Sequence, residues 1–258
     1  MEKSLYSMLE VSSTMLITLY ARARESISRN PIIHDSKAVE MIEIIKKEVT
    51  ESDNPIHRKI VNGKYNSKLV TSMALRSRRF DRYVYDFLKN SPVGTVINLG
   101  CGLDTRFDRI DNGKVIWFDI DFPEVIELRR RFMKENTRRQ FIAGSILDNA
   151  WAKIVKTGGP YLILAEGVFM YLTEPDVKNL LVMIHCELVS ADIVCEVTNR
   201  YWVDKMKSRY MQWRFKHQLG MTGGAVFTFG MPSSRYFEEW NPNYKFLDEW
   251  TYLKTMTR

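Results

Sequence analysis

Two glycines, Gly100 and Gly102, follow the β-branched run Thr95-Val-Ile-Asn-Leu99 and precede a helical stretch. Glycine at such a turn lets the backbone bend sharply and lets a ligand lie against it. A lone Gly-x-Gly is weak, but a strand before it and a helix after it are the context a nucleotide-like ligand requires. Asp119 and Asp121 follow the next β-rich run, 19 and 21 residues beyond Gly100. A carboxylate at that distance can accept hydrogen bonds from ribose hydroxyls; the other reading is a pair of solvated acids. A dinucleotide fingerprint would have a third glycine or alanine where Thr105 stands. Asp104 and Thr105 are poor company for a diphosphate, and no Gly-x4-Gly-Lys-Ser/Thr loop occurs. S-adenosylmethionine (SAM) carries no phosphate and ends in an ammonium, so the loop favours SAM over NAD.

Two later strand ends complete a pocket. Ala143-Gly-Ser145-Ile146 is where an adenine edge would lie. Glu166-Gly-Val-Phe-Met-Tyr171 is where a methyl group would be transferred. Glu166 reads as a ligand carboxylate or as a helix-capping acid. Tyr171 and His217 are candidates for positioning an acceptor. A carboxylate acceptor is ionised at neutral pH and needs only positioning, whereas a phenol, with a pKa near 10, benefits from a base. No convincing base emerges. His185 reads as a core histidine, and His34 and His57 read as loop residues. That balance leans toward a carboxylate.

The elements that must position these residues form three zones. Residues 1–90 read as helices, with apolar stripes at Leu5–Leu19, Ala38–Ile45 and Leu69–Leu88 and a break at Pro31. Residues 91–198 alternate strands with helices: strands at Thr95–Leu99, Lys114–Phe118, Arg139–Ala143, Tyr161–Ala165 and Asp192–Val197, helices at Pro123–Met133, Asn149–Val155 and Glu174–Val189. Thr173 is expected to cap the last helix. The alternation implies an α/β fold with a parallel sheet. Beyond 199 the rhythm stops. A long aromatic and basic helix is predicted over Asn199–Leu219, a short one over Ser233–Trp240, and a terminal strand pair over Tyr244–Leu253. The stretch 199–235 reads as a roof over the acceptor, although an amphipathic helix with a solvated basic face fits it as well.

These residues together resemble the leucine carboxyl methyltransferase family, and within it the tetracenomycin-type polyketide O-methyltransferase branch. The matching stretches are Asn98-Leu-Gly-Cys-Gly-Leu-Asp-Thr-Arg106, Phe118-Asp-Ile-Asp-Phe-Pro-Glu-Val125, Ala165-Glu-Gly-Val-Phe-Met-Tyr-Leu172, Thr18-Leu-Tyr-Ala-Arg-Ala-Arg24 and Arg76-Ser-Arg-Arg-Phe-Asp81. The resemblance fades beyond residue 200. It implies a Rossmann-like class I SAM-dependent methyltransferase, with a mostly parallel seven-stranded sheet (residues 91–258) and an N-terminal helical cap (residues 1–90). Carried over by motif, Arg76 would bind the methionine carboxylate of SAM, with Arg22 as a second, loosely aligned carboxylate ligand. Gly100 and Gly102 would lie under the methionine part, Asp121 would take the ribose, Ser145 and Ile146 would flank adenine, and Glu166 would hold the amino group. Family sequences usually have alanine where Cys101 stands, and no chemistry is assigned to it.

Composition sets the outer bounds. The 258 residues carry a net charge of +7, with basic excess at both ends and a slightly acidic middle. A solvated surface, a nucleic-acid partner and attraction of an acidic substrate all fit that distribution. Three scattered cysteines exclude a disulfide framework or zinc site. Neither a signal peptide nor an apolar span long enough for a membrane is evident, so a cytoplasmic location is expected. The expected activity is O-methylation of a carboxylate or hydroxyl on a small aromatic or anionic metabolite, yielding S-adenosylhomocysteine, with neither nucleic acid nor membrane as partner and no metal. The alternatives are a protein C-terminal carboxyl methyltransferase and a SAM-binding accessory protein without transfer activity.

Overall fold

The computed structural model describes residues 4–11, 13–208, 211 and 227–251. Its centre is a five-stranded, wholly parallel sheet in the order β3-β2-β1-β4-β5. The strands are β1 (Thr95–Leu99), β2 (Ile116–Asp121), β3 (Arg139–Ala143), β4 (Tyr161–Ala165) and β5 (Ala191–Cys195). β1 and β4 are buried along their whole length, which is why they read as continuous apolar runs rather than alternating ones. The chain lays strands outward from β1 to β3, then returns to place β4 on the other side of β1. That reversal opens a crevice beyond the carboxyl ends of β1 and β4.

Residues 5–90 form five helices: α1 (Leu5–Val11), α2 (Ser13–Ser26), α3 (Ser36–Glu48), α4 (Pro55–Val61) and α5 (Ser67–Asn90). α4 is a helix the sequence reading leaves out. Asn54 caps it by accepting from the Ile56 amide at 2.9 Å, and Pro55 opens its first turn. The inner faces of these helices share one apolar cluster with Leu103 of the glycine loop and Ile126, Leu128 and Phe132 of α7 (Pro123–Phe132). α5 buries Phe80, Val84 and Leu88 against Val96, Trp117 and Leu162 of the sheet. The other sheet face is covered by α8 (Ala150–Ile154) and α9 (Glu174–Glu187). Thr173 caps α9 as expected, in a reciprocal box with Asp176.

Five expectations need correction. Among the described residues the sheet has five strands, not seven. The stretch expected to supply a terminal strand pair carries no strand over Tyr244–Thr251, and Tyr252 and Leu253 lie outside the described residues. Its polar groups bond elsewhere: Asp248 accepts from Arg79 at 2.6 Å and from Tyr83 at 2.9 Å on α5. The helix predicted over Asn199–Leu219 is α10 (Arg200–Met206), followed by a turn at Lys207 and Ser208, and most of the rest falls outside the described residues. His185 is exposed, not in the core; its ring meets Tyr244 edge-on at 5.8 Å. His57 is not a loop residue; it is buried in α4 and pairs through Nδ1 with Ser52 Oγ at 2.8 Å. Among the described residues no helix is long and apolar enough to cross a membrane, and no three His, Cys, Asp or Glu side chains cluster to hold a metal.

Candidate cofactor and acceptor site

Gly100 is the first residue past β1, at φ +60°. A side chain there is excluded twice: the left-handed backbone strains any L-residue, and a Cβ would stand 2.6 Å from Val168 Cγ2 of the loop after β4. The glycine therefore lets the β1 and β4 loops close on each other at the reversal of strand order. Gly102 has φ +48° and lies under Met15 of α2.

The two acids of Asp119-Ile-Asp121 project from the same side of β2, since side chains two apart share a face. Their surroundings differ completely. Asp119 is fully buried; it accepts from Asn98 at 3.0 Å, Trp117 Nε1 at 3.0 Å, Arg129 at 2.7 Å and Arg139 at 3.2 Å. Asp121 is half-buried at the strand's end. It accepts from the Gly102 amide at 2.8 Å and the Phe122 amide at 2.8 Å. Burial pushes its carboxyl above the ordinary value, against those two donors. Asp121 thus pins the glycine loop at the carboxyl end of β2, while Asp119 is committed to the interior.

Arg76 reaches the crevice from α5. Its Nε donates to Glu166 at 2.7 Å and its Nη1 to Glu196 at 3.0 Å. The other oxygen of Glu166 accepts from Arg106 at 2.6 Å. Burial opposes ionisation of Glu166, but Arg76 and Arg106 outweigh it and hold its carboxyl below the usual range. Ser145 and Ile146 follow β3: Ser145 Oγ accepts from the Leu147 amide at 3.2 Å, and the Ile146 carbonyl takes the Trp151 indole at 2.9 Å. Tyr171 lies in a 3-10 turn, Phe169–Tyr171, 45% exposed, with its ring edge-on to Phe227 at 5.3 Å.

Arg22 is placed differently from the other cations. It is buried, and two of its three guanidinium nitrogens hold Asp35 at 2.9 Å and the Leu103 carbonyl at 2.8 Å. It braces the glycine loop from below. His217 lies outside the described residues.

Beneath the loop runs a network that the sequence reading overlooks. Arg106 bonds Asp81 at 2.7 Å and also Asp104 and Glu166. Arg109 bonds Asp81 at 2.9 Å and Asp35 at 2.7 Å, and Thr105 donates to Asp35 at 2.6 Å. Asn98 joins this set to the Asp119 cluster by donating to Asp104 at 3.1 Å as well. Asp35 and Asp104 are held below their usual range by these arginines despite burial. The chemistry that makes Asp104 and Thr105 unsuited to a diphosphate thus has a structural use: Asp104 neutralises Arg106, and Thr105 turns down to α3. The available signal was the density of arginines within otherwise apolar motifs. A separate groove of about 970 Å³ runs along α5 and α6 (Arg106–Ile110), lined by Arg78, Arg82, Tyr85, Lys89 and Trp250. None of the strand-end residues line it.

Comparison with known proteins decides the class. The profile of the family described as leucine carboxyl methyltransferase matches residues 15–185. The chain belongs to the leucine carboxyl methyltransferase family. It is 30% identical over 248 residues to the tetracenomycin polyketide synthesis O-methyltransferase of Streptomyces glaucescens, covering 94% of this chain and 83% of that one. It is 31% identical to a SAM-dependent methyltransferase of Gibberella zeae, covering 70% of this chain and 62% of that one. Among solved structures, the plantazolicin methyltransferase BpumL in complex with S-adenosylhomocysteine aligns at a TM-score of 0.44 and 16% identity, over 80% of this chain and 76% of that one. This member of the family is a SAM-dependent O-methyltransferase.

Proposed function

We propose that the crevice beyond β1, β2 and β4 is the SAM site and that the acceptor is a small anionic or aromatic metabolite methylated on a carboxylate or hydroxyl oxygen. The observation that carries this is the order of charge along the crevice. A guanidinium (Arg76) and a carboxylate (Glu166) stand side by side at one place, as an amino-acid zwitterion needs. A second carboxylate (Asp121) stands at the end of β2, as a ribose diol needs. Gly100 and Gly102 keep the floor between them free of side chains. Arg22 keeps one nitrogen for a second contact with the carboxylate, and Ser145 and Ile146 border the adenine. When bound, SAM supplies a methyl group activated on a sulfonium; the chain's residues hold both partners in line and exclude water.

The acceptor side is built from different material. Thr228 donates its amide to the Met170 carbonyl at 2.8 Å, the Arg200 amide donates to the Met231 carbonyl at 2.9 Å, and the Met231 amide donates to the Thr198 carbonyl at 2.9 Å. Residues 227–231 are thereby strapped beside the methyl-transfer loop. At the start of α10, exposed Tyr201 and Trp202 are joined by Lys205, whose ammonium sits 4.4 Å from the Tyr201 ring centre. Aromatic faces beside a cation suit a planar anion, and the role of the tetracenomycin relative in polyketide synthesis points the same way. In this reading residues 1–90 cap the cofactor, the stretch 199–235 covers the acceptor, Tyr171 positions it, and the enzyme works in the cytoplasm without nucleic acid or membrane.

The test is transfer of labelled methyl from SAM to a panel of aromatic hydroxy acids, aliphatic acids and peptides with a free C-terminal leucine. Labelled product from the aromatic acids supports the reading. Product from the peptides alone would replace it with protein carboxyl methylation, and tight SAM binding with no product from any of them would favour an accessory role.

A further inference from the structure

Phe227 has no part of its own in the reading above, yet its ring packs on the loop after β4, where a methyl group would be transferred. It is half-buried, and its ring centre lies 5.3 Å from that of Tyr171 with the planes 75° apart. Burial pushes the Tyr171 phenol up, and Arg76 and Glu196 act on it in opposite directions, so it stands among the charges at the end of β4. Two rings at nearly a right angle form a corner. A planar ring seated there meets one face and one edge, both favoured contacts between aromatic rings.

The residues that follow Phe227 are held from several directions. Thr228 donates its amide to the Met170 carbonyl and its hydroxyl to the Leu172 carbonyl. Phe229 is 1% exposed and stacks on Phe237 with ring centres 6.3 Å apart. Gly230 passes so close to α10 that a Cβ there would stand 2.7 Å from Arg200 Cα and 2.8 Å from Val203 Cγ2. Arg200 secures that approach: its Nε donates to the Gly230 carbonyl at 3.1 Å and its Nη2 to Glu174 at 2.7 Å. Glu174, the first residue of α9, also accepts from the Tyr236 hydroxyl at 2.6 Å. A ring mounted on a strap tied to both the turn before α9 and the start of α10 has little freedom left to lose when a ligand arrives, which favours binding.

We propose that Phe227 is a specificity-determining residue of the acceptor site: with Tyr171 it forms the corner that takes the planar ring of an aromatic acceptor. Arg200 is a positioning residue that holds this corner in place through Gly230 and Glu174. This rests on the acceptor lying beside the loop after β4, as read above, and the test separates the two claims.

The protein is saturated with S-adenosylhomocysteine and titrated with salicylate, a planar aromatic hydroxy acid. The wild type, Phe227→Leu, Phe227→Tyr and Arg200→Met are compared, with amide hydrogen exchange recorded alongside. Phe227→Leu keeps apolar bulk but removes the ring, and weakens salicylate by about fivefold, the scale of one aromatic pair. Phe227→Tyr restores the ring and binds within about twofold of the wild type. Arg200→Met weakens salicylate by about threefold and speeds exchange of the Thr228 and Met231 amides. Affinity for S-adenosylhomocysteine holds in every variant. Equal weakening in Phe227→Leu and Phe227→Tyr is what a merely structural role gives, and it overturns the proposal. Salicylate binding unchanged in Phe227→Leu, or absent from a wild type loaded with S-adenosylhomocysteine, overturns it too and leaves the cofactor site standing. A wild type that binds no S-adenosylhomocysteine overturns the proposal together with the reading beneath it.

Discussion

The proposed cofactor side and the proposed acceptor side of the crevice are built on opposite principles. Under the glycine loop, arginines and carboxylates from α2, α3, α5, α6, β2 and the β4 loop are buried in mutual contact, with most links made between side chains. On the proposed acceptor side, β5 is followed by short α10, a backbone bridge between Asn199 and Met231, and exposed aromatic residues. A buried charge network resists small change, since each member left alone is costly. A strap held by a few backbone bonds and surface rings tolerates exchange.

Substitutions should separate the two sides by the size of their effect on stability. The largest loss is expected from Asp119→Ala, which strands Arg129 and Arg139 in the interior; about 3–5 kcal/mol of unfolding free energy should go, measured by chemical denaturation. Next comes Gly100→Ala, which combines left-handed strain with the approach to Val168; about 2–4 kcal/mol is expected, with SAM binding lost in parallel. Thr173→Ala removes the cap of α9 and should cost about 1 kcal/mol without touching SAM affinity. On the acceptor side, Trp202→Ala and Tyr171→Phe should leave stability within about 0.5 kcal/mol and SAM affinity unchanged, while raising KM for the acceptor. A destabilisation by Trp202→Ala as large as that of Asp119→Ala would erase the contrast.

Acid should act on the same network. Asp35, Asp104 and Glu166 are held below their usual values by arginines that outweigh burial. Folded, they bind fewer protons than unfolded, so their contribution is complete above about pH 5 and lost as pH falls through about 4 and below. Asp121 has the opposite sign, its carboxyl raised by burial, but it is one group against three. Thermal melting between pH 7 and pH 3 should therefore be flat, then fall steeply.

What was legible in the sequence follows the same division. The strands buried on both faces announced themselves as apolar runs, and Pro123 and Thr173 marked helix starts that the structure keeps. Only the ends moved: β2 runs on through Asp119 to Asp121, which the periodicity had put past the strand. The charge network was not legible because its members come from α2, α3, α5 and the loops after β1 and β4, and a one-dimensional pattern cannot show which arginine meets which acid. Arg22 illustrates this, since as a motif residue it reads as a ligand, while in space most of it braces Leu103 and Asp35. Beyond residue 199 neither periodicity nor turn residues specified partners, and the terminal strand pair expected there has its polar groups on α5 instead.

The central claim is that SAM lies across the carboxyl ends of β1, β2 and β4 with its ribose on Asp121. Calorimetry of SAM on the wild type and on Asp121→Ala tests it most directly, with Asp121→Asn retaining the acceptor for the Gly102 amide as a control on the loop. Loss of two hydrogen bonds to an ionised carboxylate predicts binding weakened by about a hundredfold in Asp121→Ala, and less in Asp121→Asn. Affinity unchanged in Asp121→Ala would contradict the placement of the cofactor.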